Sequence, residues 1–173
     1  MTDYKICSTF NLLETNKCWS NLKTNYSLDF DGYGDVTSSL LSNSETGLII
    51  FIMLEDLFHG VNDDFDSLCQ SQNIFLELVK KQAEISTKPI ILGIGSEQYQ
   101  SVIENLKEDT DRKKFYDWLI LEFTSLRDNF KSIYLLNLND IFANRGHNQI
   151  FSERNWYFGR CRLSTEGLQV LAD

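Results

Sequence analysis

Residues Gly47 to Leu54, GLIIFIML, run for eight positions without a polar side chain, and β-branched and aromatic residues follow one another there with no alternation. Such a run suits a strand covered on both faces, the situation of a central strand in a parallel sheet. Shorter apolar runs occur at Lys5–Phe10, Tyr26–Phe30, Pro89–Ile94 and Ser132–Leu138, and segments of helical period separate them. This alternation predicts a parallel sheet with helices on both faces, an α/β chain built as a three-layer α/β/α sandwich on five strands. The intervening helices are expected from about Asp35 to Leu41, from Asp64 to Ile85, and from Thr110 or Asp111 onward, where Phe115, Leu119, Phe123, Leu126 and Phe130 recur at helical spacing. A last helix is expected after Ser164, a fitting N-cap residue, bearing Leu168 and Leu171. Asp31, Gly32 and Gly34 read as the turn that ends the second strand.

The chain has 173 residues, 42% of them hydrophobic, which is one domain's worth of sequence with ample material for one core over 1–173. Sixteen Lys and Arg against twenty-five Asp and Glu give a formal charge of -9, which excludes general affinity for nucleic acid or an anionic membrane. The longest apolar run falls far short of a membrane span and the segment MTDYKICSTF lacks a signal-peptide pattern, so a cytoplasmic location is expected. Cys7, Cys18, Cys69 and Cys161 lie far apart and only two histidines occur, so neither a disulfide framework nor a metal site is encoded.

In an open parallel sheet, ligands bind outside the carboxyl ends of the strands, which directs attention to Ser8 and Thr9, to Gly34, to Glu55 and Asp56, and to the polar stretch from Asn139 to Leu163. Ser8 is either a nucleophile facing the backbone N–H groups of the next helix or, with Thr9, merely that helix's cap. A nucleophilic serine needs a base; His147 with Asp140 has the better chain position of the two histidines, and the alternative for His147 is a solvated turn residue beside Gly146. Glu55 and Asp56 are either pocket carboxylates or a solvated strand end. The long stretch carries Arg145, Arg154, Arg160 and Arg162 interleaved with Trp156, Tyr157 and Phe158. In an acidic chain this is either a local anion site, chiefly Arg154, Arg160 and Arg162, or a set of surface ion pairs. No phosphate-binding loop of Walker type is present, because GIGSEQ lacks the spacing and the lysine.

KICSTFNLLETNKCWSNL, then FDGYGDVTSSLL and GLIIFIMLEDLF, and finally ERNWYFGRCRLSTEGLQVLA, resemble the SGNH-hydrolase-like N-terminal domain of FkbH-like proteins, members of polyketide and nonribosomal-peptide assembly lines. The resemblance implies a flavodoxin-like SGNH hydrolase fold with Ser8 at the position of the esterase serine. It further implies no bound cofactor of the chain's own. Its substrate would be an acyl group on the phosphopantetheine arm of an acyl or peptidyl carrier protein. Gly60-Val61-Asn62-Asp63 matches the GxND block that supplies an oxyanion-hole asparagine in SGNH esterases, and Thr9, Gly34, Glu55 and Asp56 fall around the implied pocket. In fuller family members a HAD-like domain follows and installs a glyceryl unit; the sequence ends at Asp173, where that domain would begin, so glyceryl transfer is not expected of it. Where SGNH esterases close with D-x-x-H, this chain has Gly159-Arg160-Cys161-Arg162. Arg160 in the histidine's place stays protonated and removes the usual base. Two functions stay open: acyl transfer or thioester cleavage through Ser8, His147 and Asp140, or a non-catalytic module that docks a carrier protein through its arginine-bearing segment.

Overall fold

The computed structural model describes residues 3–41, 45–58, 64–96, 110–143 and 145–173, with the backbone alone at 110, 112 and 147. Five strands, β1 (Tyr4–Ser8), β2 (Leu28–Tyr33), β3 (Gly47–Met53), β4 (Ile90–Gly95) and β5 (Ile133–Asn137), pair in parallel in the order β2-β1-β3-β4-β5. The expected three-layer α/β/α sandwich is therefore what the chain forms, and the GLIIFIM strand lies at its centre. Side chains of a strand alternate between faces, and β3 buries both sets. Leu48, Ile50 and Ile52 join one core with α2 (Val36–Leu41), α3 (Phe65–Ile85) and α4 (Thr110–Asn129). Phe51 and Met53 join the other, with α5 (Leu138–Ala143), α6 (His147–Ile150) and α8 (Thr165–Ala172). The short α1 (Ser20–Asn25) follows a 3-10 turn, Lys17–Trp19, that sends Trp19 into this second core.

The long helices begin where their caps dictate. Asp64 accepts from the Ser67 N–H at 2.9 Å to open α3, whose Leu68, Phe75, Leu76, Val79 and Ala83 form one buried stripe. Ser164 accepts from the Gly167 N–H at 3.0 Å to open α8, as its position in the sequence predicts.

Two expectations are corrected. First, β2 continues through Asp31 and Gly32 instead of ending there. It is an edge strand bonded to β1 alone, so polar residues are tolerated on it. Asp31 is held from its neighbours by the Lys5 ammonium at 2.8 Å and the Ser39 hydroxyl at 2.5 Å. The pairing slips between Ile6–Phe30 and Ser8–Tyr33, an extra β2 residue that forms a bulge before Gly34 turns the chain at φ +100°. Second, the stretch from Asn139 to Leu163 is no open loop. It contains most of α5, all of α6, α7 (Glu153–Gly159) and an antiparallel bridge between Phe151 and Leu163. Helices this short show no repeating apolar period, which is why the sequence pattern conceals them. α5 can lie close to the sheet because β4 has glycine beneath it: a Cβ at Gly95 would stand 2.9 Å from Leu138 Cβ.

Among the described residues no helix is long and apolar enough to cross a membrane.

Candidate functional site

The chain leaves β1 toward β2 on one side of the sheet and leaves β3 toward β4 on the other, while β1 and β3 are neighbours. Their carboxyl ends therefore form the switch point of the sheet, where a crevice opens in folds of this order. The residues that meet there are Ser8 and Thr9 from β1, Glu55 and Asp56 from the 3-10 turn Leu54–Asp56 that follows β3, and Arg162 from the segment before α8.

Thr9 carries the strand pairing one step beyond the ladder. Its N–H donates to the Phe51 carbonyl at 3.0 Å, and its hydroxyl accepts from the Met53 N–H at 3.0 Å while donating to Asp56 Oδ2 at 2.8 Å. Asp56 Oδ1 accepts from Arg162 Nε at 2.9 Å and from a terminal guanidinium nitrogen at 2.5 Å. The two carboxylate oxygens are thus divided between one hydroxyl and one guanidinium. Side-chain exposure is 9% for Arg162 and 8% for Asp56, so this is a buried charge pair. The ring of Trp156 covers the outer face of the guanidinium, with Arg162 Cζ 4.1 Å from its centroid.

A second polar chain continues along the carboxyl edge. Glu55 Oε1 accepts from the Ser96 hydroxyl at 2.5 Å, the Ser96 N–H donates to Asn139 Oδ1 at 2.9 Å, and Asn139 Nδ2 donates to the Tyr116 hydroxyl at 3.1 Å. Glu55 and Asp56, adjacent in the chain, therefore serve neighbouring strand ends: Asp56 binds toward β1 and Glu55 toward β4. Ser96, Asn139 and Tyr116 carry no motif, and only the position of Ser96 and Asn139 at strand ends marks them in the sequence.

Several candidates are placed differently from expectation. Ser8 is 2% exposed, and its hydroxyl donates to the Phe10 carbonyl, so its proton is engaged by main chain. Neither Ser8 nor Thr9 caps the helical turn that follows β1. The next helical turn starts at Lys17 and is capped by Asn16, whose side chain accepts from the Cys18 N–H at 3.1 Å. The N–H of Gly34, placed around the implied pocket, donates to the Ser8 carbonyl at 3.0 Å. Asp140 is exposed and accepts from Asn137 Nδ2 at 2.8 Å at the start of α5. The side chain of His147, and all of His59 and of the Gly60–Asp63 block, lie outside the described residues. Cys7, as the alternation of β1 requires, points into the core opposite Ile6, and burial pushes its thiol up to about 11.

The arginines separate into two kinds. Arg162 is consumed by Asp56, and Arg145 lies 3.8 Å from Glu166. Arg154 and Arg160 are exposed and form no ion pair among the described residues, and Arg160 Cζ stands 5.1 Å from the Trp156 ring. The arginine that binds a carboxylate at the switch point is thus Arg162, whereas Arg160, given the histidine's place by the resemblance, is exposed. Arg160 closes α7 in the left-handed conformation, φ 55°, and this reversal directs Arg160 outward and leaves Arg162 to turn inward.

α7 has no buried residue, and Tyr157 and Phe158 are 83% and 79% exposed. Its ends are well determined all the same. Ser152 accepts from the Asn155 N–H at 3.2 Å, and the chain after it is tied to the loop behind β1, where the Asn11 N–H donates to the Arg160 carbonyl at 2.9 Å and Asn11 Nδ2 to the Gly159 carbonyl at 2.9 Å. Among the described residues no group of three His, Cys, Asp or Glu side chains converges as a metal site.

No family model and no curated protein matches the sequence. Among solved structures the fold matches the N-terminal part of the protein BF1531 from Bacteroides fragilis, described as containing a phosphatase domain complexed with Mg, at 15% identity and a TM-score of 0.76. The match covers 99% of this chain and 49% of that one, so the chain spans about half the length of this structural neighbour.

Proposed function

We propose that the chain is an SGNH-hydrolase-like module of a polyketide or nonribosomal-peptide assembly line that docks a carrier protein through α7, with Arg154 on it and Arg160 at its end. The observation that carries this reading is the division of labour among the arginines. Arg162 neutralises the buried Asp56, whereas Arg154 and Arg160 stand exposed beside Tyr157 and Phe158 with no ion pair among the described residues. Exposed aromatic and arginine side chains together have the composition of protein-binding hot spots, and two exposed guanidinium groups without an ion pair among the described residues, on a chain of charge -9, favour a partner with acidic residues on its docking face. Carrier proteins are acidic, and their phosphopantetheine arm bears a phosphate. The structural neighbour supports the reading as well: its chain is about twice as long and is described as containing a phosphatase domain, and FkbH-like proteins join an SGNH-like domain to a HAD-like one.

Titration of a holo carrier protein against the chain tests the proposal. Arg154→Ala with Arg160→Ala is expected to weaken binding about tenfold and to reduce its salt dependence, because exposed charges act through screened attraction. Equal affinity in the double variant would reject it.

The position of Ser8 at the switch point favours a second reading, in which the module also handles the acyl group. Ser8 Oγ would attack the carrier thioester, forming the C–O bond as the C–S bond breaks, with the hydroxyl proton passing through a base to the departing thiol. Incubation with an acylated carrier would then add the acyl mass to the chain, and Ser8→Ala would remove that increment. An unmodified wild-type mass excludes Ser8 as the nucleophile and leaves docking intact.

A further inference from the structure

We infer that α7 is a hinged flap beside the switch point, held shut by the stack of Trp156 on Arg162, and that its lifting uncovers the guanidinium face on which Trp156 rests. The inference begins with an inequality of anchoring. The base of the flap is fixed: Ile150, Cys161 and Leu163 are fully buried, Phe151 bridges Leu163, and the Ser152 N–H donates to the Arg162 carbonyl at 2.9 Å. α8 clamps the same base so closely that a Cβ at Gly167 would stand 2.4 Å from the Ile150 carbonyl oxygen. The helix beyond that base has no fully buried residue, and its Asn155 and Trp156 are half-buried. Apolar burial supplies most of the stability of a short helix, so α7 lacks the main force that would keep it in place.

What does hold it is polar and local. Asn11 bonds the carbonyls of Gly159 and Arg160, and Trp156 rests on the Arg162 guanidinium, which the buried carboxylate of Asp56 keeps in position. Arg162 therefore works in two directions, inward on Asp56 and outward on the flap. Lifting α7 removes the ring from the guanidinium and exposes Arg162 without breaking the base. The flap therefore couples the exposed face of α7 to the buried pair of Arg162 and Asp56. Docking of a carrier protein on that face rests on the function proposed above, whereas the flap does not.

Native-state hydrogen exchange on the whole chain tests the flap. The amides of Trp156, Arg160, Cys161 and Asn11, each bonded within or to the flap, are expected to exchange together, at least about tenfold faster than those of Ile50 and Leu92 in the sheet. In Trp156→Ala, a change at a partly exposed site, the four should accelerate about tenfold further while the sheet amides stay as they were. If the four exchange only with global unfolding, or if the variant leaves their rates unaltered, the flap is refuted. Addition of a holo carrier separates the two proposals. Protection of the four amides joins the flap to docking, whereas unchanged rates with no binding remove the docking partner and leave the flap standing on the two preceding results.

Discussion

Replacing Arg162 by Met removes the guanidinium from a carboxylate whose side chain is 8% exposed and leaves Asp56 with the Thr9 hydroxyl as the remaining partner among the contacts described above. Breaking a buried ion pair at one end costs about 3–5 kcal/mol, because the surviving charge stays desolvated without its counter-charge. For a chain of this length each kcal/mol lowers the melting temperature by about 2–4 °C, so a fall of about 6–20 °C is expected. Urea unfolding followed by circular dichroism gives the free energy directly, and the slope with denaturant should not change, since the surface exposed on unfolding is the same. Met is of similar length, so the loss reports the guanidinium's charge, its hydrogen bonds and its stack on Trp156 rather than a large cavity. Removing both charges, Asp56→Leu with Arg162→Met, should recover most of the loss, leaving about 1 kcal/mol for the Thr9 hydroxyl that then lacks its acceptor. A loss below about 1 kcal/mol in Arg162→Met would place the pair among screened surface pairs and refute the argument that it pins the segment before α8 to the switch point.

Three further outcomes follow from other parts of the molecule. Gly167→Ala should destabilise the chain by about 1–3 kcal/mol in a thermal or urea melt, although alanine is the better helix former, because the new methyl meets the Ile150 carbonyl. Burial pushes the thiols of Cys7 and Cys161 up to about 11 from 9.0, so the folded state favours their protonated forms. That stabilisation is complete below the unfolded value and disappears as pH rises from 9.0 through about 11, and Cys7→Ala and Cys161→Ala should each flatten that decline in pH-dependent urea melts. Asp31 titrates in the opposite sense: the Lys5 ammonium first, and the Ser39 hydroxyl next, hold its carboxyl below 3.8, so its contribution is present above that pH and lost as pH falls through the lowered value. Lys5→Met should therefore make acid unfolding below about pH 4 less steep, and an identical acid limb would contradict this assignment.

The parts of this fold that the sequence reveals are those in which burial alone determines structure. GLIIFIM is buried on both faces and α3 on one stripe, so the spacing of apolar residues identifies both. Asp31 and Gly32 mislead because turn residues also suit a bulged edge strand, and what keeps them extended is Lys5 and Ser39, side chains from other elements. α7 misleads for the reverse reason, since a helix that buries nothing has no apolar period to read. The candidate site divides in the same way. Ser8, Thr9 and Asp56 are legible as strand ends, because the carboxyl edge of a parallel sheet follows from strand assignment. Their connections are not legible: Asp56 and Arg162 are 106 residues apart, and the choice of Arg162 over Arg160 depends on one left-handed residue at the end of α7. That single backbone reversal gives the two arginines opposite duties. Arg162 turns inward onto Asp56, and Arg160 is exposed with its guanidinium 5.1 Å from the Trp156 ring. A buried charge pair and an exposed guanidinium are thus made from residues two positions apart, and both guanidinium groups meet the same Trp156 ring, so the outer and inner arginines are linked through it.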